Sequence, residues 1–195
     1  MSKYLGATET AKVVRKMLKK HFSDTKFSVR SESYSMGSAV NVKWIDGPTE
    51  SEVNSVVGVL AGSGFDGMID LKYGITHWMN PDGSICLANS QGSSGSGGLD
   101  DAIHNPKPHP DSIEVTFADH ISCTRKYSTE FLDKIANRIN ERMFAGKPVV
   151  FEENGYLNTT EMIMDNVFWR IQAHSKVEDN KIICDEYMYG DIITE

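Results

Sequence analysis

The first regular pattern of apolar positions lies between residues 8 and 22. Apolar side chains recur there every three or four residues, which is the spacing of one face of an amphipathic α-helix. They are Val13, Val14, Met17, Leu18 and Phe22. The pattern predicts a first helix over residues 8–22, with basic residues on its other side and Thr8 or Thr10 as its N-cap.

Alternation of apolar and polar residues replaces the helical spacing in the next stretch. Phe27 and Val29 have polar neighbours, and Val40, Val42 and Trp44 repeat the same alternation after a Ser-Met-Gly reversal. A period of two is typical of a half-buried strand. Two such strands around a short reversal predict a β-hairpin.

The junction at residues 46–52 ends this hairpin and begins a second helix. Gly47 permits backbone angles that other residues resist, and Pro48 fixes its own φ and cannot extend a strand ladder. Thr49 followed by Glu52 forms a capping box, in which each residue bonds the backbone of the other. The apolar stripe of the helix follows at Val53, Val56, Val57 and Leu60. Every residue of the junction has a structural use, so we interpret it as a corner rather than a catalytic site.

The middle of the chain gives weaker patterns. Apolar residues after Gly64 indicate a turn that leads into a strand near residues 68–79, and alternation returns over residues 112–124. Residues 89–98 are rich in glycine and serine, and residues 104–110 contain three prolines. Together these two stretches predict a flexible insertion over residues 89–110.

The last third of the chain predicts a third helix and a mixed end. Ser128 is the predicted N-cap, and the helix buries the face formed by Leu132, Ile135, Ile139 and Met143. Further on, the pattern favours a strand at residues 149–153, a helix at residues 159–172 and a strand within residues 181–189.

These elements predict an α+β fold, a mainly antiparallel sheet with helices packed on one face. We expect residues 1–148 to form one domain that contains the flexible insertion at residues 89–110. Residues 149–195 are expected to form an acidic C-terminal extension that packs on or beside it.

Composition is that of an ordinary globular protein, with 195 residues, 39% of them hydrophobic and 24% charged. No apolar run approaches the roughly 18 residues of a membrane helix, and the N-terminal residues lack a secretory signal. The three cysteines are far apart and odd in number, which favours neither a disulfide framework nor a metal knuckle. We therefore expect a cytoplasmic protein with no cofactor, no structural metal and no membrane partner.

Charge is distributed unevenly along the chain, although the net charge is −7. Residues 1–30 hold eight basic and two acidic residues, whereas residues 151–195 hold three basic and ten acidic residues. Such asymmetry indicates either solvated faces or interaction surfaces. The candidate nucleic-acid contacts are Arg15, Lys16, Lys19, Lys20 and Arg30. The candidate contacts to a protein partner are Asp66, Asp70, Asp185, Glu186 and Asp191.

Three groups of residues are candidates for chemistry, and each also has a structural interpretation. Asp66 and Asp70 would face the same way on a strand and could hold a metal or act as a base, but Asp66 before glycine also suits a turn cap. A loop cluster of two histidines and one carboxylate could also hold a metal or act as a base, or its side chains could simply be solvated. Its residues are His104, His109 and Asp111. Cys123 near Arg125 could be an activated thiol or an inert buried one. We expect none of them to be catalytic.

Four ordered motifs resemble one known family, the large polyvalent protein-associated domain family, type 29. They lie at Lys26–Arg30, Trp44–Thr49, Phe65–Asp70 and Cys123–Ser128, and the resemblance covers roughly residues 6–145. It implies an accessory domain of phages and conjugative elements, of a kind often associated with overcoming host defences. No catalytic residue carries over from it.

We therefore expect an accessory protein of phage or plasmid type that binds a host protein, as an inhibitor of a restriction or CRISPR effector. The acidic end or the 89–110 insertion would then contact a basic nucleic-acid channel of the target. Nucleic-acid binding through the basic first helix is one alternative. A small metal-dependent hydrolase or nuclease is another. The oligomeric state stays open.

Overall fold

A computed structural model describes residues 2–92, 102–143 and 159–195. By its internal contacts the chain divides into two compact units. The first contains residues 1–43 and 53–124, and the second contains residues 44–52 and 125–195. The strand predicted at residues 149–153 and most of the Gly/Ser-rich stretch lie outside the described residues, and a domain boundary at residue 148 stays a prediction.

Helices and strands alternate irregularly along the first two thirds of the chain. In order they are β1 (Lys3–Tyr4), α1 (Ala7–His21), β2 (Ser28–Tyr34), β3 (Gly37–Ile45), α2 (Glu50–Val57) with a 3-10 turn (Gly58–Leu60), β4 (Ser63–Asp66), β5 (Leu71–Met79), β6 (Ile85–Ser90), β7 (Ile103–His104), β8 (Ile113–Thr116) and β9 (His120–Lys126). The remaining elements are α3 (Thr129–Met143), α4 (Thr159–His174), β10 (Ser175–Glu178), β11 (Lys181–Cys184) and α5 (Gly190–Ile193).

The strands form mixed sheets, which confirms the α+β class. One sheet has the order β1-β8-β5-β6-β7, with β4 paired to β5, and a second has the order β2-β3-β9. Strand β1 runs parallel to β8, whereas β5 is antiparallel to β4, β6 and β8. The hairpin predicted around the Ser-Met-Gly reversal is present, since β2 and β3 pair antiparallel from Ser28–Lys43 to Tyr34–Gly37.

Helix α1 confirms the first predicted helix but not its cap. The helix begins after Gly6, which makes no side-chain cap bond. The Thr10 hydroxyl instead donates to the Leu5 carbonyl at 3.0 Å and accepts the Ala118 N–H at 2.9 Å. The second of these bonds joins the helix to Ala118, far along the chain, which local spacing cannot reveal. The buried face consists of Ala7, Thr10, Ala11, Val14 and Leu18.

The strand boundaries in the middle of the chain differ from the predicted ones. The stretch at residues 112–124 is two strands, β8 and β9, in different sheets. Asn89 and Ser90 belong to β6 rather than to a loop, and His104 belongs to β7 because it pairs with Asn89. Short strands of this kind are defined by their partners, so their own composition indicated loops.

The second unit has its own core around α3, α4 and β11. Ser128 caps α3 as predicted, since its Oγ accepts the Phe131 N–H at 3.1 Å. The predicted helix at residues 159–172 and the strand within residues 181–189 are confirmed as α4 and β11. The core cluster is Phe131, Ile135, Ile139, Val167, Ile171, Ile182, Cys184 and Ile193.

Among the described residues, no helix combines the length and the apolar character that crossing a membrane requires.

Candidate binding surfaces

The junction at residues 46–52 is a hydrogen-bonded corner. Asp46 and Gly47 both have positive φ, 52° and 64°. Left-handed backbone of this kind favours glycine and tolerates aspartate. The Trp44 indole N–H donates to the Pro48 carbonyl at 2.9 Å, and the Asp46 carboxylate accepts the Ser128 N–H at 2.9 Å.

The predicted capping box is formed in both directions. The Thr49 N–H donates to Glu52 Oε2 at 2.8 Å, and the Glu52 N–H donates to Thr49 Oγ1 at 3.3 Å. Lys176 lies 2.5 Å from the other oxygen of the same carboxylate. Burial opposes ionisation of Glu52, but the bonds from Lys176 and Thr49 outweigh it and lower its pKa.

Arg125 is buried against this corner, with 4% of its surface exposed. Its guanidinium donates to the carbonyls of Gly47 at 3.0 Å, Asp46 at 3.3 Å and Ser175 at 2.7 Å. The guanidinium carbon also lies 4.8 Å from the centroid of the Phe131 ring. Three carbonyls and an aromatic ring thus hold the cation that could have activated Cys123.

The hairpin of β4 and β5 separates the two carboxylates that would face the same way if both lay on one strand. Asp66 ends β4, is 1% exposed, and accepts the Met68 N–H at 2.9 Å. Asp70 lies in the following turn with φ of 52° and is exposed. The alternative with both carboxylates on one strand face is not realised, because β5 begins only at Leu71. Asp66 caps the turn, as an aspartate before glycine commonly does.

Large apolar side chains cover the tip of this hairpin and face solvent. Met68 is 75% exposed, Ile69 60%, Phe65 57% and Leu71 56%. Sequence reasoning missed this surface because the pattern indicated only a turn leading into a strand and did not reveal which of its apolar residues face solvent. The signal that could have found it is the turn pair Asp66-Gly67, which places its apolar neighbours at the end of a hairpin.

Basic residues line the solvent face of α1, opposite its buried face. Successive helical residues are 100° apart, so the five cations fall within one side of the helix. All are exposed: Lys12, Arg15, Lys16, Lys19 and Lys20. Arg30, the fifth residue of the predicted nucleic-acid set, is exposed on β2.

A groove of about 180 Å³ opens beside the end of α1. Its lining combines cations with aromatic and aliphatic side chains of α1, β2 and the segment between them. The lining residues are Arg15, Leu18, Lys19, Phe22, Ser23, Thr25, Phe27 and Val29. The Phe22 and Phe27 rings lie 5.9 Å apart between centroids and are tilted by 52°.

The acidic residues expected at the C-terminal end are not equivalent. Asp185 and Asp191 are exposed, whereas Glu186 is buried. Glu186 lies 3.2 Å from Arg170 and 3.6 Å from His174. Its charge is therefore engaged within the second unit. Asp185 also lies 3.1 Å from His174, but it is exposed, as is Asp191, so this pair is better placed to contact another molecule.

The proline-rich loop does not bring its candidate residues into a metal site. The Asp111 N–H donates to His109 Nδ1 at 3.1 Å, so the ring nitrogen faces backbone. His104 pairs in β7 instead. Among the residues that the structure describes, no group of three or more His, Cys, Asp or Glu residues could hold a metal ion.

Comparison with known proteins identifies the family. A family model described as large polyvalent protein associated domain 29 matches residues 5–128, which is more than half of the chain and includes all four of the ordered motifs. No curated protein and no solved structure matches the chain. The chain therefore belongs to the large polyvalent protein associated domain 29 family.

Proposed function

We propose that this protein acts by binding a host protein, as a counter-defence protein of a phage or plasmid that inhibits a restriction or CRISPR effector. The observation that carries the binding proposal is the tip of the β4–β5 hairpin, with four large apolar side chains each more than half exposed. The family name, which refers to large polyvalent proteins, supports the phage setting.

Contact of this apolar surface with water is unfavourable in free energy, and a partner that buries the surface would remove that contact. Contiguous apolar patches on a protein surface mark interaction sites, because burying each square ångström releases about 25 cal/mol. Met68, Ile69 and Leu71 lie within four consecutive positions, with Phe65 on the neighbouring strand. Phe65 pairs with Lys72 and Leu71 pairs with Asp66, so Phe65 and Leu71 lie on opposite faces of the hairpin. A partner with an apolar cleft that takes up the tip from both faces would bury all four.

The hairpin presents these side chains from a fixed backbone. The Asp66 carboxylate accepts the Met68 N–H within the turn. Tyr73 is 6% exposed, and its ring covers Gly64 of the neighbouring strand so closely that a Cβ added at Gly64 would lie 2.2 Å from the ring. A rigid element loses less conformational freedom when it binds. The tip is therefore suited to tight docking.

The charged residues around the tip indicate which charge the rim of the partner's binding surface should carry. Asp70 is exposed at the turn, and the charge of Lys72 is paired with Asp119. A basic rim on the partner would complement Asp70, as charge complementarity commonly does at interfaces. Nucleic-acid-binding effectors carry such basic surfaces.

The test is capture of a defence effector with variants of the hairpin tip. A Met68→Asp/Ile69→Asp variant should lose the effector, since two charges would be buried in an apolar cleft. Met36→Asp is the matched control, because Met36 is 88% exposed in a different hairpin turn. Effectors of restriction and CRISPR type would be captured from lysate and then assayed in purified form.

Salt separates the contributions of the two kinds of surface. Binding carried by the tip should persist at high salt, whereas a contribution from Asp185 and Asp191 should weaken. Recovery of no effector, or equal recovery by the tip variant and the Met36 control, would count against the proposal.

A further inference from the structure

The groove beside α1 unites two features that separately have ordinary explanations. Cations near the end of a helix interact favourably with its dipole, which accounts for Lys19 and Lys20. Half-buried aromatic residues beside a helix commonly belong to the core, which accounts for Phe22 and Phe27. Neither explanation accounts for an open groove whose lining combines both rings with Arg15 and Lys19.

We propose that this groove and the basic face of α1 form a binding site for single-stranded nucleic acid, in which one unstacked base enters the groove. The basic face comprises Lys12, Arg15, Lys16, Lys19 and Lys20, all of them exposed. Proteins that bind single strands combine a cationic track for the backbone with aromatic rings for the bases.

Charge complementarity selects a polyanion as the occupant. From Lys12 to Lys20 the helix rises about 12 Å, so the cations form a row rather than a point. A row of cations matches a chain of regularly spaced phosphates better than it matches a single anion. The neighbouring segment adds Lys26 and Arg30, both exposed.

The volume and the lining of the groove favour a single flat ring as its occupant. A pocket for a drug-sized ligand commonly exceeds about 300 Å³, whereas this one has about 180 Å³. Leu18 and Val29 form apolar surface at its base, with 1% and 8% exposure. Phe22 and Phe27 are half-buried and offer ring surface on which a base stacks.

Arg15 links the two parts of the site. Its Nη2 donates to the Val29 carbonyl at 2.6 Å, which fixes the guanidinium at the edge of the groove. A guanidinium carries five N–H donors, so one bond to a carbonyl leaves donors for a phosphate oxygen. A fixed arginine at this point would hold the phosphate next to the inserted base.

A duplex does not fit this site, because its bases are paired and stacked. The site therefore favours single strands over duplex of the same sequence, and it takes DNA and RNA by the same chemistry. Single-strand binding of this kind tolerates different sequences, since every base has a π-face.

Fluorescence anisotropy with labelled oligonucleotides tests the site in the full chain. The probes are oligothymidylate, oligouridylate and a mixed duplex, each of about 16 nucleotides. A single strand should bind more tightly than the duplex, and the stronger of the two single-strand probes identifies DNA or RNA as the preferred ligand. Equal or tighter binding of the duplex, or binding of none of the three, would overturn the proposal.

Charge and ring variants separate the two parts of the site. Lys19→Ala/Lys20→Ala should lower the slope of log affinity against log salt by roughly 0.7 for each phosphate that the variant no longer neutralises. Phe22→Leu and Phe27→Leu keep the apolar bulk and should each weaken binding about 10-fold with little change in that slope.

A matched pair of lysines outside the site controls for general charge. Lys43→Ala/Lys126→Ala removes the same charge from exposed positions on β3 and β9 and should leave single-strand affinity unchanged. An equal loss of affinity in this control would show unspecific attraction and reject the site. A labelled acidic peptide that contains phenylalanine is a second control. If this peptide binds more tightly than either single strand, the groove is a peptide site and the nucleic-acid proposal is rejected.

Discussion

Among the described residues, few buried polar side-chain atoms lack a hydrogen-bond partner, and His77 provides an informative one. It is 2% exposed on β5, with Nε2 2.7 Å from the Val59 carbonyl and its ring 5.3 Å from that of Phe117. A carbonyl only accepts, so Nε2 carries the proton. Its other ring nitrogen, Nδ1, is buried with no hydrogen-bond partner among the described residues. The environment therefore favours the neutral ring.

This burial predicts a loss of stability on mild acidification. Burial lowers the pKa of His77, although its bond to the Val59 carbonyl opposes that shift. The unfolded chain therefore binds a proton more readily, so the stabilisation is complete above about pH 6.5 and is lost as the pH falls through the folded-state pKa. Urea unfolding between about pH 7 and pH 5 should show stability falling by up to about 1.4 kcal/mol per pH unit.

His77→Gln is the control for this pH dependence. Glutamine can keep a donor near the Val59 carbonyl but does not titrate, so the variant should show a flatter dependence over the same range. An identical slope in both proteins would assign the effect to other groups.

Elements bounded by local signals could be predicted from the sequence, and elements defined by distant partners could not. The capping box at Thr49, the Ser128 cap and the β2–β3 turn depend on residues within a few positions, and all three were predicted correctly. Strand β7 exists because Ile103 and His104 pair with β6. Nothing in a proline-rich stretch indicates such pairing.

The surfaces were harder to predict than the elements. Apolar residues from Phe65 to Leu71 gave a correct indication of a turn and strand, but the same letters occur in a core. Phe22 and Phe27 are separated by a loop, and only the fold brings their rings together. Exposure and convergence are properties of packing, which periodicity does not encode.

The β4–β5 hairpin gives a prediction at this scale. A Cβ at Gly64 would lie 2.2 Å from the buried Tyr73 ring, whereas a Cβ at Gly67 would meet nothing within 4 Å. Gly64→Ala should cost about 1–3 kcal/mol through overpacking, and Gly67→Ala should stay within about 0.5 kcal/mol of the parent.

Urea unfolding of the two alanine variants measures the difference. If they lose the same stability, the Tyr73 ring does not restrain the hairpin, and the rigid presentation of the apolar tip would lose its support.

At the scale of the whole molecule, the family match and the compact units have different boundaries. The match ends at Ser128, whereas the second unit combines residues 44–52 with residues 125–195. Arg125 and the capping box lie inside the match, but their partners Ser175 and Lys176 lie outside it. The matched segment therefore contains only part of that unit.

A chain restricted to residues 1–128 should consequently be less stable than the full chain. Arg125 would lose the Ser175 carbonyl, and a bond to a charged group contributes about 1.5–3 kcal/mol. The midpoint of urea unfolding followed by circular dichroism should fall accordingly. Equal midpoints for the two chains would show that the corner at residues 46–52 is stable without its C-terminal partners.

The bond between Lys176 and Glu52 spans 124 positions of the chain. At a synthesis rate of about 5–20 residues per second, Glu52 leaves the ribosome roughly 6–25 s before Lys176 does. The second unit is therefore completed late during translation, and for that interval its first segment is accessible to chaperones and proteases of the cell in which it is made.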